Sequence, residues 1–153
     1  MNNKYLSLGL ILLVTFVASG IGSFVTSSFK EPWYSEIILP TFNPPSWVFG
    51  PIWTVLYILM SVAIWIVWSK TSDKKILQLY FIHLFFNAIW SIIFFGFHQI
   101  FIALIDLGII LIFIIWVIKI YYQFSKISFL LMTPYLLWCS YALVLNSTIF
   151  YLN

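Results

Sequence analysis

Apolar residues run through this chain in five long, nearly charge-free blocks separated by short polar stretches. The blocks are Tyr5–Ser28, Ser46–Ser69, Ile76–Phe97, Ile100–Tyr122 and Ser128–Leu152. Each is as long as the run of about 20 residues that crosses a hydrocarbon core of roughly 30 Å as a helix. The breaks are Phe29–Pro45, Lys70–Lys75, a short His98–Gln99 turn and Gln123–Ile127. The pattern predicts an all-α membrane protein: a five-transmembrane-helix bundle, one domain over residues 1–153, with no stretch left for a soluble domain.

The first block admits a second reading. Lys4, an apolar stretch and Ala18-Ser19-Gly20 together resemble a secretory signal peptide. The apolar segment continues past those small residues to Phe29, longer than a usual signal core, and is read here as a span. Ala18, Ser19, Gly22 and Ser23, with Gly9 further up, then offer a face for close helix packing, within the bundle or between copies.

Proline and tryptophan are concentrated between the first two spans. The segment Pro32–Tyr57 holds five of the six prolines and three of the eight tryptophans. Proline fixes φ and withholds a backbone donor, while Trp and Tyr bring large flat surfaces with a polar tip. A rigid aromatic segment between membrane helices suits a shaped lid over an apolar cavity.

Composition narrows the class further. The chain is 63% hydrophobic and 7% charged, outside the range of soluble domains. Its net charge of +3 reports topology rather than an anionic partner. Lys4, Lys70, Lys74, Lys75, Lys119 and Lys126 fall on one side of a five-span arrangement and only Lys30 on the other. The positive-inside bias therefore places the N-terminus in the cytoplasm, with loop 29–45 and the C-terminus outside the plasma membrane. Arginine is absent, which removes the bidentate phosphate fork and leaves no case for nucleic-acid binding. Cys139 stands alone, so no intramolecular disulfide forms. His83 and His98 have no carboxylate at ligand spacing, and no metal site is expected.

What remains is aromatic and amide chemistry inside the bilayer. Trp53 and Tyr57 share a helical face in the second span. His83, Asn87 and Ser91 form a polar stripe in the third, with Trp90 beside it. Tyr135, Trp138, Ala142 and Asn146 align in the fifth. A polar stripe in lipid must face protein or a cavity, so the Asn87 stripe is either an interhelical hydrogen bond or part of a site. Asp106, about two turns into the fourth span, is costly there and is read first as a structural hydrogen-bond anchor. Pro134, near the cytoplasmic end of the fifth span, costs little in a first turn and kinks the helix if it lies deeper.

These residues carry a resemblance. Trp33-Tyr34 is followed by Pro40-x-Phe42-x-Pro44-Pro45-x-Trp47-x-Phe49-Gly50-Pro51-Ile52-Trp53-x-x-Leu56-Tyr57. Further on come Asn87-x-x-Trp90, Phe94-Phe95-Gly96, Gln99, Ala103-Leu104-Ile105-Asp106, and Pro134-Tyr135-Leu136-Leu137-Trp138 with Ala142 and Asn146. In order and spacing the chain resembles the TspO/MBR family of tryptophan-rich sensory and translocator proteins along nearly its whole length. The resemblance implies a five-helix bundle whose first loop caps a ligand cavity, with Asp106, Pro44, Pro45 and Pro51 in structural or coupling roles, and it favours a homodimer.

Carried over by position, the ligand-binding residues would be Tyr34, Trp53, Asn87, Ser91, Trp138 and Ala142. The implied ligands are tetrapyrroles such as protoporphyrin IX and isoquinoline-carboxamide or benzodiazepine-type compounds, with no cofactor required. The implied function is to sense, sequester or transport porphyrin. The alternative is an enzyme that degrades porphyrin with light and oxygen, in which Trp53 and Trp138 would be catalytic. A purely structural protein would leave the Pro/Trp segment without a purpose. Two departures limit the match. Phe42 stands where the family usually has Trp, and Ser147 and Tyr151 replace the Tyr and basic residue of the animal cholesterol pattern. Cholesterol binding is not expected.

Overall fold

The computed structural model describes residues 4–153. Its elements in chain order are α1 (Lys4–Phe29), α2 (Trp33–Glu36), α3 (Ser46–Thr71), α4 (Lys74–Ser91), α5 (Ile100–Phe124) and α6 (Lys126–Leu152). Helix α4 runs on through a widened π turn, Ile92–Gly96, so five elements are long and apolar enough to cross a membrane. They are the five expected spans, each longer by a residue or two at one or both ends, the third stopping one residue short at Gly96.

Those extra residues have local causes. The Asp73 side chain accepts from the Lys75 N–H at 2.8 Å and starts α4 at Lys74. Ser125 Oγ accepts from the Ser128 N–H at 3.2 Å and starts α6 at Lys126. Both are N-caps that satisfy an otherwise orphaned donor. With α6 beginning there, Pro134 sits about two turns inside the helix, beyond the first turn where a proline is free of cost. Its ring withholds the donor that would reach the Leu130 carbonyl. Left-handed residues turn the chain at Ser72 (φ 51°) and His98 (φ 56°).

Helices α3, α5 and α6 form the inner packing, with α4 against α5 and α1 against α3 and α4. Met60, Ala63, Ile64, Val67, Tyr80, Ile114, Tyr121 and Met132 are fully or almost fully buried between them. Large apolar side chains also point outward, among them Leu13, Ile112, Leu130 and Leu137. In water such a surface would aggregate; against lipid tails it is neutral.

Where α4 ends and α5 begins, a second apolar cluster gathers Tyr34, Phe94, Ala103, Leu145 and Ile149. The π turn belongs to it. Phe94 stacks on Trp90 at 4.9 Å and meets Trp33 edge-on at 5.4 Å. The segment between α1 and α3 is thereby seated on the bundle.

Candidate functional site

A cavity of about 510 Å³ lies between the helices. The volume is in the range of small-molecule pockets, roughly 300–1,000 Å³. Phe49, Trp53 and Tyr57 line it from α3 at successive four-residue steps, the spacing that keeps side chains on one helical face. Asn87, Trp90 and Ser91 come from α4 and Phe94 and Phe95 from the π turn. Trp138, Tyr141, Ala142 and Asn146 come from α6, and Lys30 and Tyr34 from the connecting segment.

All six expected ligand-binding residues, Tyr34, Trp53, Asn87, Ser91, Trp138 and Ala142, face this one space. Pro44, Pro45 and Pro51 do not line it. Pro45 is the N-cap position of α3 and Pro51 lies within that helix. Asp106 is buried on α5 and is not among the lining residues, whereas Leu107 and Ile110 of the same helix are. Its Oδ2 has no hydrogen-bond partner among the described residues, so the expected hydrogen-bond anchor is not seen.

The aromatic groups fall into two kinds. The Trp90 indole N–H donates to Asn146 Oδ1 at 3.2 Å, and Asn146 Nδ2 donates to the Ile100 carbonyl at 3.1 Å. Trp90 is therefore committed to holding α4, α5 and α6 together. Trp53 stacks on Tyr57 at 5.3 Å, and Trp138 meets Phe49 edge-on at 6.0 Å. Neither of their indole N–H groups has a hydrogen bond among the described residues, so neither is committed as that of Trp90 is. Asn87 combines both readings of its stripe. Its Oδ1 accepts from the Tyr57 hydroxyl at 2.7 Å and its Nδ2 donates to the Tyr135 hydroxyl at 2.9 Å. One amide hydrogen is left over on a residue that lines the cavity.

Helix α1 contributes a wall that sequence patterning read only as a packing face. Ser19, Gly22, Ser23 and Thr26 line the cavity. A Cβ on Gly22 would lie 3.2 Å from Ser91 Oγ, so glycine allows α1 to approach α4 closely. Gly22 thus faces the bundle interior, whereas Gly9 and Gly20 face open space. The spacing of Gly22 and Thr26 held that signal, since i and i+4 share a face, but the partner helix was invisible.

The connecting segment is fastened at several points. The Tyr34 hydroxyl donates to Asn43 Oδ1 at 3.2 Å, and Lys30 Nζ sits 4.8 Å from the Tyr34 ring centre. Lys30 Nζ also donates to Ser46 Oγ at 3.0 Å. Burial pushes the Tyr34 phenol above its ordinary value of 10.0, against the smaller downward pull of the Asn43 hydrogen bond. It remains a protonated donor at neutral pH. The Tyr141 hydroxyl donates to the Phe42 carbonyl at 2.7 Å. The Trp33 ring stacks on His98 at 4.5 Å.

The carboxamide of Asn153 closes the far side. It accepts from the Ile38 N–H at 2.9 Å and donates to the Ile38 carbonyl at 3.0 Å. Asn153→Ala removes both contacts, each of about 0.5–1.5 kcal/mol. The expected result is faster proteolytic nicking between Phe29 and Pro45 with the five spans intact, read by mass spectrometry after limited digestion.

Five membrane-length helices around one internal cavity of small-molecule size define a multi-span helical membrane protein. The TspO/MBR family profile matches residues 10–152. The chain is 37% identical to the tryptophan-rich protein TspO of Archaeoglobus fulgidus, over 93% of this chain and 94% of that one. It is 33% identical to the tryptophan-rich sensory protein of Cereibacter sphaeroides, over 93% and 91% of the two chains. It is 34% identical to the human translocator protein, over 85% and 82%. The chain belongs to the TspO/MBR family.

Proposed function

We propose that this protein binds tetrapyrroles such as protoporphyrin IX within the membrane, to sense, sequester or move them. The observation that supports this most is the pair Trp53 and Trp138 on the wall of one cavity of about 510 Å³, both with free indole N–H groups. A flat macrocycle stacks on such faces. Relatives named as a sensory protein and a translocator protein support the sensing and transport readings. Flat isoquinoline-carboxamide or benzodiazepine-type compounds fit the same walls and compete for them. The test is a titration of protoporphyrin IX with purified protein in the dark. A saturable shift of the porphyrin absorption band, reversed by such a competitor, supports binding; no shift refutes it.

A second reading is light- and oxygen-dependent porphyrin degradation in the same place. What favours it is again the indole pair, because an electron-rich ring against a photo-excited macrocycle is an oxidisable neighbour. Loss of the porphyrin band with a new product band under light, and not in the dark, distinguishes turnover from binding.

The lysine distribution supports an orientation in the plasma membrane with the N-terminus cytoplasmic and the Phe29–Pro45 segment outside. A cysteine placed at the exposed Ser35 should react with an impermeant maleimide added to intact cells. Cys139 is buried and gives little background. Labelling only after the cytoplasmic face is opened would reverse the topology. The family resemblance extends this to a homodimer, with the outward Gly9 and Gly20 leaving α1 open to close approach.

A further inference from the structure

A hydrogen-bonded chain of side chains leads from the cavity wall to two buried residues behind it that ligand binding alone does not use. It runs from the Tyr57 hydroxyl to Asn87, on to the Tyr135 hydroxyl, and ends at His83 Nε2, 2.8 Å from Tyr135. Tyr135 and His83 are both almost completely buried, and neither lines the cavity. The Tyr135 ring is 6.1 Å from the Trp53 indole, edge to face. Its hydroxyl accepts the Asn87 amide hydrogen and lies within hydrogen-bond reach of the imidazole, so with Nε2 unprotonated the phenol proton is donated to that nitrogen. An imidazole that accepts at Nε2 carries its own hydrogen on Nδ1, and Nδ1 has no partner among the described residues.

We propose that Tyr135 and His83 form a redox pair that takes over the oxidising equivalent created at Trp53 when a light-absorbing ligand in the cavity is excited in the presence of dioxygen. This rests on the photochemical reading above. One electron leaves the Trp53 indole for the excited macrocycle, with dioxygen, reduced to superoxide, as the final acceptor. Tyr135 returns one electron to the indole. As it does so its O–H bond breaks and the proton crosses to His83 Nε2. The products are a restored indole, a neutral tyrosyl radical and an imidazolium. The positive charge that sat on the indole now sits on the imidazole, so the step adds no net charge to the apolar interior.

The geometry explains why His83 lies here. A phenol is hard to oxidise unless its proton leaves with the electron, and a base already in hydrogen-bond reach supplies that path. Burial prevents the proton from being lost to water. The pair therefore acts as a sink that takes one oxidising equivalent off Trp53 before the indole is irreversibly oxidised.

The experiment uses the full chain in nanodiscs, loaded with protoporphyrin IX, illuminated in air and freeze-quenched for electron paramagnetic resonance. Wild type should give a tyrosyl signal that narrows when ring-deuterated tyrosine is incorporated. Tyr135→Phe should lose it. His83→Gln keeps a carbonyl that accepts the Tyr135 hydrogen bond but no base, and should lower the radical yield by roughly a hundredfold. An undiminished signal in Tyr135→Phe, equal yields in wild type and His83→Gln, or an indole radical alone in wild type would overturn the proposal.

A porphyrin that fails to bind shows itself first, as an unshifted absorption band. For that case a ruthenium polypyridyl photo-oxidant attached through Ser23→Cys, at the exposed mouth of the cavity, removes the electron without any ligand. A His83-dependent tyrosyl signal there sustains the redox pair while the tetrapyrrole reading falls. No such signal ends both.

Discussion

Replacing both Trp53 and Trp138 with Phe should leave protoporphyrin IX affinity within about tenfold, about 1.4 kcal/mol, and abolish light-driven loss of its absorption band. Phe keeps a flat apolar face at each position, so most of the stacking area survives. The two indole N–H groups, which have no partner among the described residues, disappear with little structural cost because no hydrogen bond is broken. Phe is also far harder to oxidise than indole. Binding and photochemistry therefore separate in this variant. Asn87→Ala separates them the other way. It leaves the Tyr57 and Tyr135 hydroxyls each short of a partner, which lowers stability by about 1–3 kcal/mol. It also removes a spare amide hydrogen from a residue that lines the cavity, so affinity falls while bound porphyrin still reacts. Equal photodegradation by wild type and the double-Phe variant would remove the enzymatic reading and leave binding.

Gly22→Leu should weaken porphyrin binding by roughly tenfold to a hundredfold, corresponding to about 1–3 kcal/mol of overpacking. A Cβ there already sits 3.2 Å from Ser91 Oγ, and the rest of a leucine side chain must enter the cavity or push α1 away from α4. Gly20→Leu is the control, because nothing lies within 4 Å of a Cβ at that position. Gly22→Ala should fall between the two, since rotation of the small Ser91 side chain relieves the contact. If Gly22→Leu left affinity unchanged and instead separated a dimer in detergent, the small residues of α1 would belong to a contact between copies.

The spans were legible because the signal is length: a run of apolar residues long enough for lipid has few other uses in a chain of this size. Their ends were less so. Asp73 and Ser125 extend α4 and α6 through single capping hydrogen bonds, and hydropathy does not register a cap. The stripes of α3, α4 and α6 were legible as faces because i and i+4 positions align on any helix. That Trp53, Asn87 and Trp138 face one another across a common space depends on which helices adjoin, and helical periodicity carries no such information.

Other features depend on contacts far apart in sequence. The bonds from Asn87 to Tyr57 and Tyr135 join three spans, so the stripe alone left hydrogen bonding and ligand contact as alternatives. The π turn at Ile92–Gly96 follows a run with no Pro or other local breaker, and its aromatic partners Trp33 and Tyr34 lie in a different segment. The short α2 helix was hidden among prolines that signal irregular chain. Asp106 stood out by charge, yet its surroundings follow from packing alone.

The most direct test of the central claim is the dark titration of protoporphyrin IX with wild type and with Ala142→Trp, whose indole would occupy the cavity from the α6 side. Wild type should show a saturable shift of the porphyrin absorption band that Ala142→Trp loses while keeping its helical circular dichroism. No shift with wild type, or the same shift with the filled cavity, would contradict tetrapyrrole binding at this site.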